Sequence, residues 1–177
     1  KGNVTKLGEP GIYASVRPSP DGKYLLVETV KKPFSYLMTY RSFPKSIEVW
    51  GLGGPNHNVV ESGKLIADIP MAENIPIEGV RLGPRNVEWK AGDAATLIWV
   101  EALDGGDPKT KAEYRDQIVA LPAPFESKPD GLVKLQHRAA GVSFFTDPSI
   151  LMTTEYDRDR RWVRAQMHDL KTPGSTP

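Results

Sequence analysis

Short apolar runs separated by polar turns recur along this chain, and each run is too short for a helix of ordinary length. The clearest runs lie at residues 24–27, 97–100 and 150–152. Each follows a strand-like segment and a polar turn, and a glutamate comes soon after it, at Glu28, Glu101 and Glu155. The three glutamates are unevenly spaced, although the order around each of them is the same. This pattern indicates internal repeats that carry loops of variable length.

The segments between these runs complete the repeats. Pro20-Asp21-Gly22 predicts a tight turn, because proline presets one backbone torsion and glycine accepts a positive φ. Alternating apolar and polar residues at 46–50 predict a half-buried strand, and 116–121 and 162–167 occupy the matching places in the other repeats. Segments 64–69 and 132–135 predict fourth strands. Residues 112–121 also fit a short helix, but Pro122 and Pro124 would end it at once, and the repeat favours a strand. The first two repeats are thus predicted to have four strands each, and the third to have three.

Repeating four-stranded antiparallel units are typical of β-propeller blades. We therefore expect an all-β fold: an incomplete propeller with fewer than three blades, at approximately 11–70, 84–138 and 140–170. The inserts at 31–45 and 71–84 lengthen these units. An ordinary β-sandwich also has short strands and many Gly and Pro turns, and Gly and Pro make up 32 of the 177 residues here. A sandwich, however, has no reason to repeat the same order three times.

Composition and charge exclude several functions. Lys and Arg number 23 against 22 Asp and Glu, so the net charge of +1 argues against nucleic acid as the main partner. The hydrophobic fraction is 39%, and no uninterrupted apolar stretch is long enough to cross a bilayer, so we expect a soluble protein without a membrane span. There is no cysteine, which removes disulfides and thiolate chemistry. The chain begins at Lys1 without Met or an apolar leader, and we expect a processed or partial piece.

Catalytic and metal-binding motifs are missing from the sequence. The histidines, His57, His137 and His168, form no HxxxH or HxH pair, and we expect His57 and His168 to lie on the surface. No Gly-x-Ser-x-Gly elbow occurs. The acidic segment 103–108 lacks the alternating ligands and distal glutamate of a calcium loop, so a hairpin loop is favoured. We expect no catalytic residue, no metal and no cofactor in this segment.

Three arginines, Arg158, Arg160 and Arg161, lie in a run of mixed charge. The simplest interpretation is a solvated turn between two strands, although arginines near a propeller channel can also bind acidic groups. We expect the tryptophans to pack in the core or between blades. They all fall inside predicted strands, at Trp50, Trp89, Trp99 and Trp162.

Four segments together are distinctive: 16–24, 40–50, 72–76 and 99–108. With them the chain, over roughly residues 11–170, resembles part of the N-terminal β-propeller of serine peptidases of the prolyl oligopeptidase family (S9). The branch that it most resembles contains the chloroplast glutamyl endopeptidases and their bacterial relatives. The segment 99–108 is the most specific of the four, since many propellers contain a Pro-Asp-Gly turn.

The resemblance implies a function for a larger parent protein. In that family a propeller caps an α/β-hydrolase domain whose Ser, Asp and His lie C-terminal to it, and none of these residues maps onto this sequence. The segment would be a non-catalytic gate that admits peptides and excludes folded proteins, in a hydrolase that cleaves peptide bonds after glutamate. Its implied partners are the peptide substrate and the hydrolase domain, with Arg158, Arg160 and Arg161 as candidate substrate-binding residues. The implied location is a plastid or, for a bacterial source, the periplasm or medium.

Two alternatives remain open at this stage. A stand-alone propeller-like module would bind a protein or peptide partner without doing chemistry. A small β-sandwich that binds carbohydrate would line one face with exposed aromatic side chains. Fold alone does not decide between these functions.

Overall fold

Antiparallel strands form nearly all of the regular structure in the computed structural model, which describes residues 4, 6–54, 59–73 and 75–172. The strands are β1 Ile12–Pro18, β2 Tyr24–Val30, β3 Lys45–Gly53, β4 Val59–Ile69, β5 Arg85–Trp89, β6 Thr96–Ala102, β7 Asp116–Pro122, β8 Asp130–Leu135, β9 Arg138–Phe144, β10 Ile150–Asp157 and β11 Trp162–Asp169. A 3-10 turn spans Tyr40–Ser42. The described ranges contain no α-helix. The all-β prediction is confirmed, and residues 116–121 form a strand rather than a helix.

The strands form three meandering sheets in which sequence neighbours pair. The first sheet has the order β1-β2-β3-β4, the second β5-β6-β7-β8 and the third β11-β10-β9. Their pairs are antiparallel throughout. The predicted count of four, four and three strands is therefore confirmed for the described residues. That each sheet is one blade of a propeller, with the boundaries given above, stays a prediction.

The chain divides into two compact units, residues 1–74 and 75–177. In the first unit the predicted turn before β2 is present: Gly22 has a φ of 72°, and its N–H donates to the Ser19 carbonyl oxygen. Leu26 and Val49 are partners across β2 and β3, and both are buried. The apolar members of these strands thus form the core on which the first sheet depends.

In the second unit, the core joins the second and third sheets. Val100 on β6, Ile118 on β7 and Leu135 on β8 pack with Leu151 on β10, and all four are almost completely buried. Val142 and Phe144 of β9 cover this cluster. Burial of apolar side chains from both sheets holds them together, because removing this surface from water stabilises the folded state.

The repeated glutamates lie on the second strand of each sheet, but their contacts differ. Glu28 forms an ion pair with Arg17, at 3.2 Å. Glu101 accepts a hydrogen bond from the Trp99 indole N–H at 2.8 Å. Glu155 is 1% exposed, accepts from the His137 backbone N–H and forms an ion pair with Arg164 at 3.1 Å. Glu28 and Glu155 therefore both pair with an arginine on the neighbouring strand, whereas the Glu101 contact is with an indole.

The tryptophans divide between core and surface. Trp99 is 3% exposed, and Trp50 and Trp89 are half-buried, as predicted for strand aromatics. Trp162 is 62% exposed, so it does not pack in the core of this chain, and its packing between blades stays a prediction. It lies on β11, the outer strand of the third sheet, where among the described residues no further strand pairs with it.

The predicted surface position of His57 falls outside the described residues. No helix in the described ranges has the length and apolar character needed to cross a bilayer.

Candidate functional site

Loops at the ends of the second and third sheets enclose a cavity of about 150 Å³, lined by both charged and apolar surface, which we call the arginine pocket. Its charged lining comes from three elements: the loop before β5, the segment before β7, and the strands and turn from β9 to β11. The residues that matter most are Glu78, Arg115, Arg138, Tyr156, Asp157 and Arg158. Loops carried on a rigid sheet scaffold are where binding residues concentrate in proteins. All of these residues belong to the second unit.

The base of the pocket is a buried ion pair. Arg138, the first residue of β9, donates from Nη2 to both carboxylate oxygens of Asp104, each at 2.7 Å. Its Nη1 donates to Asp116 Oδ1 at 2.9 Å. The carboxyl groups of Asp104 and Asp116 are completely buried. The planar guanidinium fits this task, since it presents several N–H donors in fixed directions.

Two more arginines complete what we call the ion cluster: Arg85, Arg115, Arg138, Asp104 and Asp116. Arg115 Nη1 donates to Asp104 at 2.8 Å, and Arg85 Nη2 donates to Asp116 at 2.5 Å. Burial by itself would raise the pKa of Asp104, but hydrogen bonds from Arg138 and Arg115 outweigh it, and the pKa lies below its usual range. With three guanidinium groups on two carboxylates, the cluster carries one excess positive charge.

A close backbone approach fixes the loop that carries Glu78. The Val80 N–H donates to the Gly106 carbonyl oxygen at 2.9 Å. A Cβ at Gly106 would lie 2.2 Å from the Val80 carbonyl oxygen, and Gly106 has a φ of 75°. Only glycine fits both conditions. The Asp104 carboxylate in turn accepts from the Gly106 N–H at 3.0 Å, so the Glu78 loop is tied to the ion cluster.

Of the three predicted arginines, Arg158 alone lines the arginine pocket. Its Nε forms an ion pair with the Glu78 carboxylate, and both side chains are about half exposed, at 53% and 54%. Glu78 adopts a φ of 59°, an unusual conformation for a residue with a side chain.

The predicted turn between two strands is confirmed, and residues 158–161 connect β10 to β11. The Arg160 guanidinium lies 5.3 Å from the centre of the Trp162 ring, and its Nε is 3.9 Å from Asp157 Oδ2. Arg161 is exposed. The structure therefore does not bring the three arginines together. A substrate-binding role for them stays a prediction.

Asp157 lines the pocket, and its carboxylate already accepts hydrogen bonds from the turn that follows it. Its Oδ1 accepts from the backbone N–H groups of Asp159 and Arg160, at 3.0 and 3.1 Å. The Arg160 backbone hydrogen bond is the main reason that the Asp157 pKa lies below its usual range. His137 Nε2 lies 3.7 Å from Asp157 Oδ2. These contacts fix Asp157 as part of the turn.

One hydroxyl–imidazole contact has the composition of a catalytic pair. Thr153 Oγ1 lies 2.9 Å from His168 Nε2. Thr153 is fully buried, so a substrate cannot reach its hydroxyl. The surface position predicted for His168 is wrong, because the ring is half-buried against β10. Burial lowers its pKa, while the nearby Glu155 charge acts in the opposite direction.

The acidic side chains of the described ranges do not form a metal site. Among these residues, no group of three or more His, Asp or Glu side chains is placed to hold a metal ion. The segment 103–108 is the first part of the connection 103–115 between β6 and β7, which are paired antiparallel, so the hairpin loop is confirmed. The Asp104 carboxylate within it binds arginines and a backbone N–H instead of a cation.

Sequence reasoning did not find the ion cluster or Glu78. Asp104, Asp116 and Arg138 are separated along the chain, and of the three only Asp104 lies in a segment that the sequence singled out, the acidic segment 103–108. The available signal was weak: Asp116 and Arg138 each stand at the start of an apolar strand, where a buried charge requires a partner. Nothing in the sequence shows that these partners are one another.

The chain is similar to two curated plant proteins, both of which are named as peptidases. It is 36% identical over 169 residues to the "Probable glutamyl endopeptidase, chloroplastic" of Oryza sativa subsp. japonica. It is 37% identical over 169 residues to the protein of the same name from Arabidopsis thaliana. Each alignment covers 92% of this chain but 17% of the relative, so the chain spans about a sixth of the length of the curated relatives it matches. It is thus related to one part of a larger peptidase.

Comparisons with family models and with solved structures say less about the chain than these two relatives do. No family model matches the chain. A crystal structure of an uncharacterized protein from Listeria monocytogenes EGD-e aligns with a TM-score of 0.48 at 12% identity. That alignment covers 94% of this chain and 40% of the Listeria chain.

Proposed function

We propose that this chain is part of the non-catalytic gating propeller of a serine peptidase of the prolyl oligopeptidase family, which hydrolyses peptide bonds after glutamate. The observation that carries the proposal is the similarity to two proteins named glutamyl endopeptidase, over 92% of this chain. The specificity comes from those names, and the gating role from the sequence resemblance described above. The catalytic residues would belong to an α/β-hydrolase domain of the parent protein.

The structure supports a scaffold role in two ways. Three antiparallel sheets follow one another along the chain, an order expected for consecutive blades. The sequence contains no Gly-x-Ser-x-Gly, and the hydroxyl of Thr153 beside His168 is buried. The segment would then act by limiting which molecules reach the catalytic serine elsewhere in the parent. The relatives' names suggest a plastid location, and a bacterial periplasmic or secreted location is the alternative.

An activity gel tests the proposal. Native extract from the source is labelled with a fluorophosphonate, which reacts with active serine hydrolases, and the lanes are probed with an antibody against this segment. We expect one band that carries both signals and migrates well above the position of this chain alone. An antibody band at the position of this chain alone, never labelled, would contradict the proposal and favour a stand-alone binding module.

Substrate profiling of the labelled parent then tests the specificity and the gate. We expect cleavage of short peptides after glutamate and much slower cleavage of the same site within a folded protein. The 177-residue chain alone should not react with the fluorophosphonate. Stoichiometric labelling of this chain would show that the catalytic serine is here after all.

A further inference from the structure

We propose that Arg158 binds the side-chain carboxylate of an acidic residue in a peptide, and that Glu78 occupies this position until the peptide displaces it. The inference rests on the proposed function, since it assigns an acidic peptide as the ligand of the arginine pocket. Glu78 would then be an intramolecular competitor, a copy of the ligand's own functional group held inside the chain.

In the structure, the Arg158 guanidinium already binds a glutamate carboxylate, that of Glu78. Glu78 reaches Arg158 from a different loop, the one that precedes β5. Its positive φ and the Val80–Gly106 hydrogen bond next to it hold the loop in place. Peptide glutamates carry the same group on the same length of side chain, so the contact between Glu78 and Arg158 shows a mode of binding available to them.

The pair is exposed enough to exchange. About half of each side chain is open to solvent, and ion pairs of this kind are weak because water screens both charges. The ion pairs of Arg115 and Arg138 are shielded from water, because their partner Asp104 has no exposed side-chain surface. Removing a buried carboxylate from them would leave uncompensated charge. Among the arginines that line the pocket, Arg158 is therefore the one that can change its partner.

Charge balance favours exchange over simple addition of an anion. When a ligand carboxylate replaces that of Glu78, the number of negative charges on Arg158 stays the same. The nearby Asp157 does not have to move, because its carboxylate already accepts from the backbone N–H groups of Asp159 and Arg160. The excess positive charge of the ion cluster lies behind the pocket, but Asp157 and Asp159 in the lining oppose it, so the anion is held by the Arg158 guanidinium itself and not by the net charge of the pocket.

The pocket has room for such a side chain. A cavity of about 150 Å³ can hold a group the size of benzene, which exceeds the carboxyethyl group of glutamate. Tyr156 lines the pocket as well, is 41% exposed and offers a hydroxyl donor for a second carboxylate oxygen. A glutamine side chain would lack the charge that Arg158 requires, so the site should prefer acidic residues over their amides.

Binding of N-acetylglutamate amide to the 177-residue chain, followed by NMR chemical shifts, tests the inference, with N-acetylglutamine amide as the neutral control. We expect Glu78→Gln to tighten binding of the acidic probe roughly two- to five-fold, which is the range that an exposed ion pair would cost. Arg158→Gln should weaken it at least ten-fold, and Arg158→Lys less. Lys128→Gln, which removes an exposed positive charge outside the pocket lining, is the control and should leave the affinity unchanged.

Several outcomes would overturn the inference. They are an unchanged or weaker affinity in Glu78→Gln, unchanged binding in Arg158→Gln, equal binding of the two probes, or no binding of the acidic probe to either the wild type or Glu78→Gln. Circular dichroism of each variant checks that the sheets persist. If the parent enzyme still cleaves after glutamate while this binding fails, the inference is wrong and the proposed function stands. If the parent shows no serine hydrolase activity, the proposed function fails whatever the probe does.

Discussion

Arg138 Nη2 lies 2.7 Å from both carboxylate oxygens of Asp104, although 34 residues separate them in the chain. The contact links the loop that follows β6 to the first residue of β9, and so the second sheet to the third. Because the Asp104 side chain has no exposed surface, its charge depends on this guanidinium and on Arg115. The same contact forms the base of the arginine pocket.

Removing the guanidinium of Arg138 should destabilise the second unit strongly. Arg138→Met keeps a long side chain but leaves the charges of Asp104 and Asp116 with fewer partners. Breaking a buried pair in this way costs about 3–5 kcal/mol. We expect a loss of about 3 kcal/mol in the free energy of unfolding, measured by urea titration, because Arg85 and Arg115 still compensate in part.

Arg160→Met is the control for this measurement. Arg160 is 68% exposed, and its ion pair with Asp157 is long, at 3.9 Å. Its loss should change the free energy of unfolding by less than about 1 kcal/mol. Equal effects of the two substitutions would show that the ion cluster does not hold the sheets together.

Truncation of Trp99 should cost far more stability than truncation of Trp162. Trp99 is 3% exposed on β6, and Trp99→Ala should cost about 3–5 kcal/mol through lost burial and the cavity left behind. Trp162 is 62% exposed, and Trp162→Ala should cost less than about 1 kcal/mol. Urea unfolding of both variants measures the difference. A small loss for Trp99→Ala would mean that the indole is not part of the core.

Neighbouring glycines provide a second matched pair. Gly105 and Gly106 both have a positive φ, but a Cβ at Gly105 would meet nothing within 4 Å, whereas one at Gly106 would lie 2.2 Å from a backbone oxygen. Gly105→Ala should cost about 1 kcal/mol from backbone strain alone. Gly106→Ala should cost about 2–4 kcal/mol, since the loop that carries Glu78 must also shift. Thermal unfolding compares them, and similar losses would argue against the close approach to Val80.

Stability should fall below neutral pH because of His168. Its pKa is lowered in the folded state by burial, so the unfolded chain takes up the proton first as the pH drops. The corresponding stability is present above the unfolded value of about 6.5 and is lost as the pH falls towards the folded pKa. Urea unfolding between pH 7.5 and pH 5 should show a smaller decline for His168→Gln than for the wild type. Parallel declines would mean that His168 titrates alike in both states.

A separate loss is expected at lower pH from Asp104. Its folded pKa lies below the ordinary value of 3.8, so its contribution is present above that value and disappears as the pH falls through the folded pKa. The two effects occupy different pH ranges. In urea unfolding below pH 4.5, the decline should therefore persist in His168→Gln and be smaller in Asp104→Asn. What remains in Asp104→Asn comes from other carboxylates whose pKa is lowered, such as Asp157.

The strands were predictable because their pattern is local. Residues 24–27 and 97–100 are apolar runs flanked by turns, and Gly22 takes the positive φ that the Pro-Asp-Gly turn predicts. Burial on the outer strand was not predictable in the same way. Trp162 has the same local pattern as Trp50, but its exposure depends on which strands lie beside β11.

Of the residues that line the arginine pocket, the sequence had proposed only Arg158 for binding. Arg158, Arg160 and Arg161 stand together in sequence, yet a turn sends successive side chains in different directions, and one of the three reaches the pocket. Glu78 and Asp104 come from other loops, and their distance from Arg158 is set by how the sheets pack. Such long-range contacts leave no spacing rule in the sequence.

The ion cluster also has a mechanical consequence. The second and third sheets are connected along the chain by two residues, Gln136 and His137, between the end of β8 and the start of β9. A force that pulls these sheets apart would reach Arg138 at once, and its bonds to Asp104 and Asp116 would carry the load together with the apolar core. The two sheets should therefore rupture in a single event when stretched, as one mechanical element.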